Sequence, residues 1–208
     1  MNTNGIDLQT VAFQRHFAIQ VKHKKFQNET FWIPIRKYGF MEWLNKRGKK
    51  KSINLWIQPC KHSSFIVDVS ANTGIYSLLA KTVNSNSKAY AFERVNRVYQ
   101  KLRENIELHK FDIHTYEVAS SNSDDEAPIY DTDSEHTYSV TVNQNMYSAD
   151  TKVIATTIQT IKLDTFIKQH NISNIDLIKI DVETYEDEFL EGFLEYIHRF
   201  KPSMLVEI

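Results

Sequence analysis

Phe65-Ile-Val-Asp-Val-Ser-Ala-Asn-Thr-Gly-Ile-Tyr-Ser77 decides the fold. Its first half, Phe65 to Ser70, is a short apolar run that closes in polar residues, the pattern of a strand buried on both faces. Its second half turns at Gly74, the residue able to take the backbone angles of a tight turn, so that the loop's backbone N–H groups are expected to face a ligand. The turn opens at once into a helix, where Ile75, Leu78, Leu79 and Thr82 recur at helical spacing until Asn84-Ser-Asn-Ser87 breaks it. Strand, turn and helix in immediate succession are the opening unit of an open parallel sheet, whose ligands bind outside the carboxyl ends of the strands.

Downstream, the same alternation repeats. Lys88 to Glu93 reads as the second strand, and Val95, Tyr99, Leu102 and Ile106 form the apolar stripe of a helix that Asn96 is placed to cap. Ile113 to Ala119 is the third strand and Leu177 to Glu183 the fourth. One long helix should follow, with Phe189, Leu190, Phe193, Leu194 and Ile197 inward, acids Glu186, Asp187 and Glu188 in its first turn, His198 and Arg199 in its last, and Pro202 as its stop. Met204 to Ile208 is the fifth strand. The class is therefore α/β, a Rossmann-like, doubly wound, mainly parallel sheet. Between strands three and four, Pro128 to Tyr130, Tyr138 to Val142 and Thr157 to Leu163 resemble short strands, separated by the acidic stretches Ser120 to Asp125 and Asp131 to Glu135. They read as an antiparallel β arm, after which Asp164 caps a short helix carrying Phe166 and Ile167.

Upstream, residues 1–62 form an N-terminal appendage to the principal domain, residues 63–208. Phe26, Phe31, Trp32, Tyr38, Phe40 and Trp43 lead to a basic run at Lys46, Arg47, Lys49, Lys50 and Lys51. The segment reads as a helical appendage packed through its aromatics with its lysines solvated, or as a substrate-side cap.

Bulk composition narrows the partners. The 208 residues, 41% of them hydrophobic, suffice for one filled core. With 25 Lys and Arg against 26 Asp and Glu, a net charge of -1 gives no global pull toward nucleic acid or an acidic membrane, so a small-molecule partner is expected. The single cysteine, Cys60, excludes an internal disulfide and fits a reducing compartment, with cytoplasmic placement the default. The polar start lacks the features of a signal peptide, and no stretch has the roughly 18 uninterrupted apolar residues of a membrane span. Eight scattered histidines show no paired ligand spacing, so no metal is expected.

Glu93 closes the second strand nineteen positions after Gly74, a separation at which an acid reaches ribose hydroxyls. A nicotinamide or flavin pyrophosphate wants a fuller glycine pattern than Gly74 alone supplies. S-adenosylmethionine has no phosphate and carries positive charge, which Asp68 favours.

Val67 to Ser77, Ala91-Phe-Glu93 and Ile178-Lys-Ile-Asp-Val-Glu183, with Lys-Leu-Asp164 and Lys-Pro202 at their proper separations, resemble the FkbM-type family of S-adenosylmethionine-dependent methyltransferases over roughly Phe65 to Ile208. The resemblance implies a sheet of the class I methyltransferase type and O-methylation of a hydroxyl on a sugar, glycan or secondary metabolite. Asp68, Asn72 and Gly74, in one loop with Ser70 and Thr73, would surround the methionine part. Glu93 would bind the ribose, and the end of strand three, with Glu117, Ala119 and Ser120, would border the adenine. This chain departs from the family at Ser70, where Gly is usual, at Arg94, where Pro is usual, and at Thr184-Tyr185, where Gly-Ala is usual and a ring would stand beside the reaction centre. Such sheets also add two strands after the fifth, so the domain reads as truncated there or completed by the N-terminal region.

Lys179, Asp181 and Glu183 share one side of strand four by period two. They pair with one another or cap the next helix, or else Asp181 and Glu183 line the acceptor site and one accepts the acceptor's proton. His136 and His62 are weaker candidate bases. A class-different alternative is a non-catalytic nucleoside-binding module, marked by Ser70 and Thr184-Tyr185; a nicotinamide dehydrogenase is disfavoured on glycine grounds. DNA amino-methylation wants an Asn or Asp before Pro-Pro and an aromatic residue, which is absent. Pro59-Cys60 precedes strand one, the wrong place for a cytosine-carbon nucleophile, and Lys46 to Lys51 reads as a solvated surface.

Overall fold

His16-Phe-Ala-Ile-Gln-Val-Lys-His23 alternates apolar and polar residues, which is the strand period. In the computed structural model, residues 7–33 form three strands, β1 (Asp7–Phe13), β2 (His16–His23) and β3 (Phe26–Ile33). They pair as an antiparallel meander in which Ile19 stands between Thr10 and Phe31. The helical appendage expected from composition is therefore a sheet over this stretch, because alternation outweighs a merely aromatic and basic composition. The structure describes the backbone of residues 7–13, 16–23, 26–33, 49–132, 153–182 and 185–207, and side chains within 52–130, 155–182 and 185–207. Tyr38, Phe40, Trp43, Lys46, Arg47, His136, the expected strand at Tyr138 to Val142, Glu183 and Thr184 lie outside the described residues.

A helix, α1 (Lys49–Cys60), precedes β4 (Phe65–Val69), α2 (Ile75–Val83), β5 (Lys88–Phe92), α3 (Asn96–His109) and β6 (Ile113–Tyr116). Then come β7 (Ala119–Ser120), β8 (Glu126–Thr132), β9 (Val153–Ile161), α4 (Leu163–Gln169), β10 (Leu177–Ile180), α5 (Glu186–Glu191), α6 (Leu194–Phe200) and β11 (Ser203–Val206). Five strands form a sheet in the order β11-β10-β4-β5-β6, every pair parallel. The order reverses between β4 and β10, and that switch point locates the ligand crevice at their carboxyl ends.

Alternation along each strand divides the core. Ile66, Ala89, Ala91 and Leu177 face α1, α2 and α3, whereas Val67, Val69, Phe92, Ile178 and Ile180 pack with Phe166, Phe189 and Phe193 on the other face. α1 joins the first layer through Ile53, Trp56, Ile57 and Cys60, which recur at helical spacing and are buried. The Trp56 indole N–H donates to the Tyr76 carbonyl at 2.9 Å, and the two rings meet edge to face.

Several local expectations are corrected. The third strand breaks after Tyr116, and Ala119 and Ser120 pair in parallel with Thr160 and Ile161 of the arm, so the arm is a mixed sheet in which only β8 and β9 run antiparallel. Asn96 does not cap α3; it is that helix's first residue and donates to Glu117 at 2.8 Å. Asp164 does not cap its own helix either. Its carboxylate accepts the N–H groups of Glu195 and Tyr196 at 2.9 and 3.2 Å and so caps α6, while Asp124 accepts the Lys162 N–H and the Thr165 hydroxyl at the start of α4. The single long helix is two, divided at Gly192 and Phe193. There the backbone presses so closely on Ser121 that a Cβ on Gly192 would meet its carbonyl oxygen at 1.9 Å, and the Gly192 carbonyl accepts the Asp164 N–H at 3.0 Å.

Candidate active site

The loop from Val69 to Ile75 crosses the switch point in a compact, left-handed course. Ser70, Asn72 and Gly74 have φ of 58°, 52° and 92°, alternating with ordinary residues. Gly74 suits its angle, and a Cβ there would also meet Leu102 Cδ1 at 2.5 Å. Asn72 tolerates the left-handed region, helped by its side-chain oxygen accepting the Thr73 N–H at 2.8 Å. Ser70 sits there with a Cβ in the way, which gives a physical meaning to the glycine usual at that place in the family it resembles.

The loop's N–H groups do not face a ligand as the sequence suggested. Ala71 donates to the Phe92 carbonyl at 2.8 Å, Asn72 to Glu93 Oε2 at 2.9 Å, and Gly74 to the Ala71 carbonyl at 2.9 Å. With Thr73 also engaged, the backbone donors of residues 71–74 all have protein acceptors, so the turn offers no phosphate cradle. Asn105 holds the loop from outside, donating to the Thr73 carbonyl at 2.8 Å.

Both strand-end acids are buried beneath this loop. Asp68 is 1% exposed, and its Oδ2 accepts the N–H and hydroxyl of Ser77 at 3.0 and 2.6 Å, capping α2. Glu93 is 4% exposed, with Oε2 taken by Asn72 and Oε1 by the Val95 N–H at 2.9 Å. Burial pushes both carboxyls above their usual range, opposed at Asp68 chiefly by the Lys179 ammonium and at Glu93 chiefly by the Val95 N–H.

Lys179 is paired in register with Asp68 across the switch point and is itself 2% exposed. Its ammonium donates to the Ser70 carbonyl at 3.1 Å and lies 3.4 Å from Asp181 Oδ2, 3.8 Å from Asp68 Oδ1 and 4.9 Å from the centre of the Tyr76 ring. One buried cation thus gathers the loop, the strand-one acid and the strand-four acid. Asp181 keeps a quarter of its side chain exposed, at 25%.

Beside this cluster opens a small cleft of about 90 Å³, below the roughly 300–1,000 Å³ of a formed small-molecule site. Val69, Ser70, Phe92 and Arg94 form its floor, Val118, Ala119, Ser120 and Ser121 one wall, Ala127, Ile158 and Thr160 of the arm another, and Val182 and Tyr185 the side next to β10. The cleft gathers Ser70, Ala119 and Ser120 of the residues expected to bind a cofactor. Asp68, Asn72, Thr73, Gly74 and Glu93 lie behind it as the frame of the loop, and Glu117 is exposed and bonded to Asn96. Asp181 is not among the lining residues. Arg94, Val118, Val182 and Tyr185 are, and strand period was the available signal, since residues 182 and 181 face opposite sides.

The family model described as the methyltransferase FkbM domain matches residues 68–208. The chain belongs to the FkbM methyltransferase family. Among solved structures, it is similar to methyltransferase FkbM from Methylobacillus flagellatus, at 16% identity over 69% of this chain and 32% of that one, with a TM-score of 0.48. This chain thus spans about a third of the length of that FkbM protein. It is similar as well to Aeropyrum pernix fibrillarin, solved with natively bound S-adenosyl-L-methionine, at 11% identity over 96% of this chain and 78% of that one, TM-score 0.46. A putative caffeoyl-CoA O-methyltransferase from Staphylococcus aureus matches at 11% identity over 74% of this chain and 60% of that one, TM-score 0.43. No curated protein sequence matches the chain. Among the described residues of this FkbM-family chain, no helix is long and apolar enough to cross a membrane, and no group of three or more His, Cys, Asp or Glu is placed to hold a metal ion.

Proposed function

We propose that this FkbM-family chain is an S-adenosylmethionine-dependent methyltransferase that O-methylates a hydroxyl of a sugar, glycan or secondary metabolite. The observation that carries the reading is the cleft at the carboxyl ends of β4, β5 and β10, where the sheet order reverses. Its residues fit a phosphate-free nucleoside cofactor on two counts. The loop presents no phosphate cradle, and the Ser120 hydroxyl, beside the place proposed for the adenine, is buried with no hydrogen-bond partner among the described residues.

When bound, that cofactor supplies a methyl group activated on a sulfonium. The chain's own part is placement and proton handling. Ser70 to Gly74, held by Lys179, Glu93 and Asn105, fixes the wall against the methionine part. Behind that wall the Lys179 ammonium lies 3.8 Å from Asp68 and 3.4 Å from Asp181, which fixes the loop's position. Orienting the acceptor oxygen in line with the methyl carbon supplies much of the rate. As the new C–O bond forms, the hydroxyl must lose its proton; we place that step at the end of β10, on Asp181, which stands beside Lys179 outside the cleft lining, or on Glu183 as its alternative.

S-adenosylhomocysteine is expected to raise the unfolding temperature and NAD to leave it unchanged, since a ligand that binds only the native state stabilises it by mass action. Equal shifts with both, or a shift with NAD alone, sink the assignment. Once an acceptor is in hand, Asp181→Asn should bind S-adenosylhomocysteine as wild type does and transfer methyl groups about 10²–10⁴-fold more slowly, the usual share of general acid–base catalysis. Unimpaired turnover would return Asp181 to a structural role.

A further inference from the structure

Resting on that methyltransferase reading, we infer that Tyr185 is the gate of the cofactor cleft: its ring occupies space that the cofactor takes, and turning that ring outward is the step that admits it. At about 90 Å³ the cleft is smaller than a formed small-molecule site, so a nucleoside enters only if part of the lining moves. Which part moves depends on what holds each side chain.

Most of the lining is tied. Val69, Phe92 and Val182 are at most 4% exposed and belong to the core layer on the α4 side, where the Phe92 ring stacks on Tyr116 and meets Phe166 edge to face. The Ser70 carbonyl accepts from Lys179, and Ala119 and Ser120 are held by their pairing with Thr160 and Ile161. Arg94 is engaged as well, attracted to the Glu93 carboxylate. Moving any of these disturbs a close-packed interior or breaks strand hydrogen bonds.

Tyr185 differs. Of the long or ring-bearing side chains in the lining, it is the one that is partly exposed and makes no side-chain hydrogen bond, ion pair or ring pair among the described residues. Its backbone is fixed at the start of α5, where its carbonyl accepts the Phe189 N–H at 3.0 Å, so the ring turns about the side-chain bonds alone. Turning out gives up the ring's packing on the α4-side core, and the apparent affinity for the cofactor falls in proportion to the fraction of molecules with the ring out. The side that opens lies next to the end of β10, the strand end proposed to take the acceptor's proton.

The test titrates S-adenosylhomocysteine into the full chain by calorimetry, for wild type and for Tyr185→Ala, Tyr185→Leu, Tyr185→Phe and Tyr185→Trp. Removing the ring, in either of the first two variants, should tighten binding about threefold or more, because no molecules remain closed. Tyr185→Phe keeps the bulk and loses only a hydroxyl that has no partner among the described residues, so it should stay within about twofold of wild type, whereas the larger ring of Tyr185→Trp should weaken binding. Equal affinities across the series overturn the inference. So does weakened binding in Tyr185→Ala and Tyr185→Leu, which would make the ring a ligand contact, or in Tyr185→Phe, which would make the hydroxyl one. Binding by a ring-free variant where wild type shows none supports the gate; no binding by wild type or any variant overturns the methyltransferase reading and this inference with it.

Discussion

On the α1–α2 side of the switch point, Asp68, Lys179 and Asp181 are packed against one another and against Ser70 and Ser77. On the α4 side, a few ångström along the same strand ends, the cleft is lined by apolar side chains, hydroxyls and one guanidinium. The first region turns its charges inward to hold a left-handed loop, and in the second the Ser120 hydroxyl is buried with no partner among the described residues. A charge at a strand end is therefore not by itself a ligand contact: Asp68 and Glu93, the most legible acids in the sequence, serve the frame. Ser70 belongs to both regions, its carbonyl accepting from Lys179 and its residue lining the cleft.

The hardest way to break this contrast is Lys179→Met, which strands the buried Asp68 carboxylate. It should cost about 3–5 kcal/mol, the usual penalty for removing one partner of a buried ion pair, read by urea unfolding. Adding Asp68→Asn should recover much of that loss; a loss below about 1 kcal/mol in the single variant would show that the cluster is not holding the frame.

Gly74→Ala tests the turn itself. A left-handed alanine costs roughly 1–2 kcal/mol from backbone sterics, and the 2.5 Å approach to Leu102 Cδ1 adds to it. A variant of wild-type stability would mean that the loop takes another course.

The two buried acids also give the contrast a pH signature. Because burial raises their native pKa values, the native state holds protons that the unfolded chain has released, and stability must fall as pH rises from the ordinary values of 3.8 and 4.5 toward the raised ones. Asp68→Asn should flatten part of this slope in denaturant unfolding followed against pH. A slope unchanged by that variant would locate it elsewhere.

The smallest effect is expected at Ser70→Gly. Relief of a left-handed serine, offset by the greater freedom of glycine in the unfolded chain, leaves a gain of about 0.5 kcal/mol. If the loop alone limits binding, S-adenosylhomocysteine affinity should stay level or rise; a fall would mean that the serine hydroxyl itself contacts the ligand.

The strand and helix alternation from Phe65 onward was legible because each element repeats its own period over enough residues to be counted. The five parallel strands start within one residue of where that counting put them, and the third and fourth end three residues earlier than expected. The meander at 7–33 was legible in principle through His16 to His23, but aromatic and basic composition obscured the alternation. The division at Gly192 had no comparable local signal, since it depends on the approach of Ser121, distant in sequence.

What the sequence by itself determined is the α/β class, the order of the five parallel strands, the turn at Gly74 and the family, all set by short-range sterics, periodicity and ordered motifs. Only the tertiary structure decided where each polar group found its partner. Asp164 caps a helix thirty-one residues on, Lys179 reaches the Ser70 carbonyl from the neighbouring strand, the loop N–H groups are satisfied internally, and Arg94 and Tyr185 come to line one cleft. Buried donors and acceptors must be satisfied by whatever the packed chain brings near, and that proximity is a property of the sheet order and the crossing of its layers, which no local window of sequence contains.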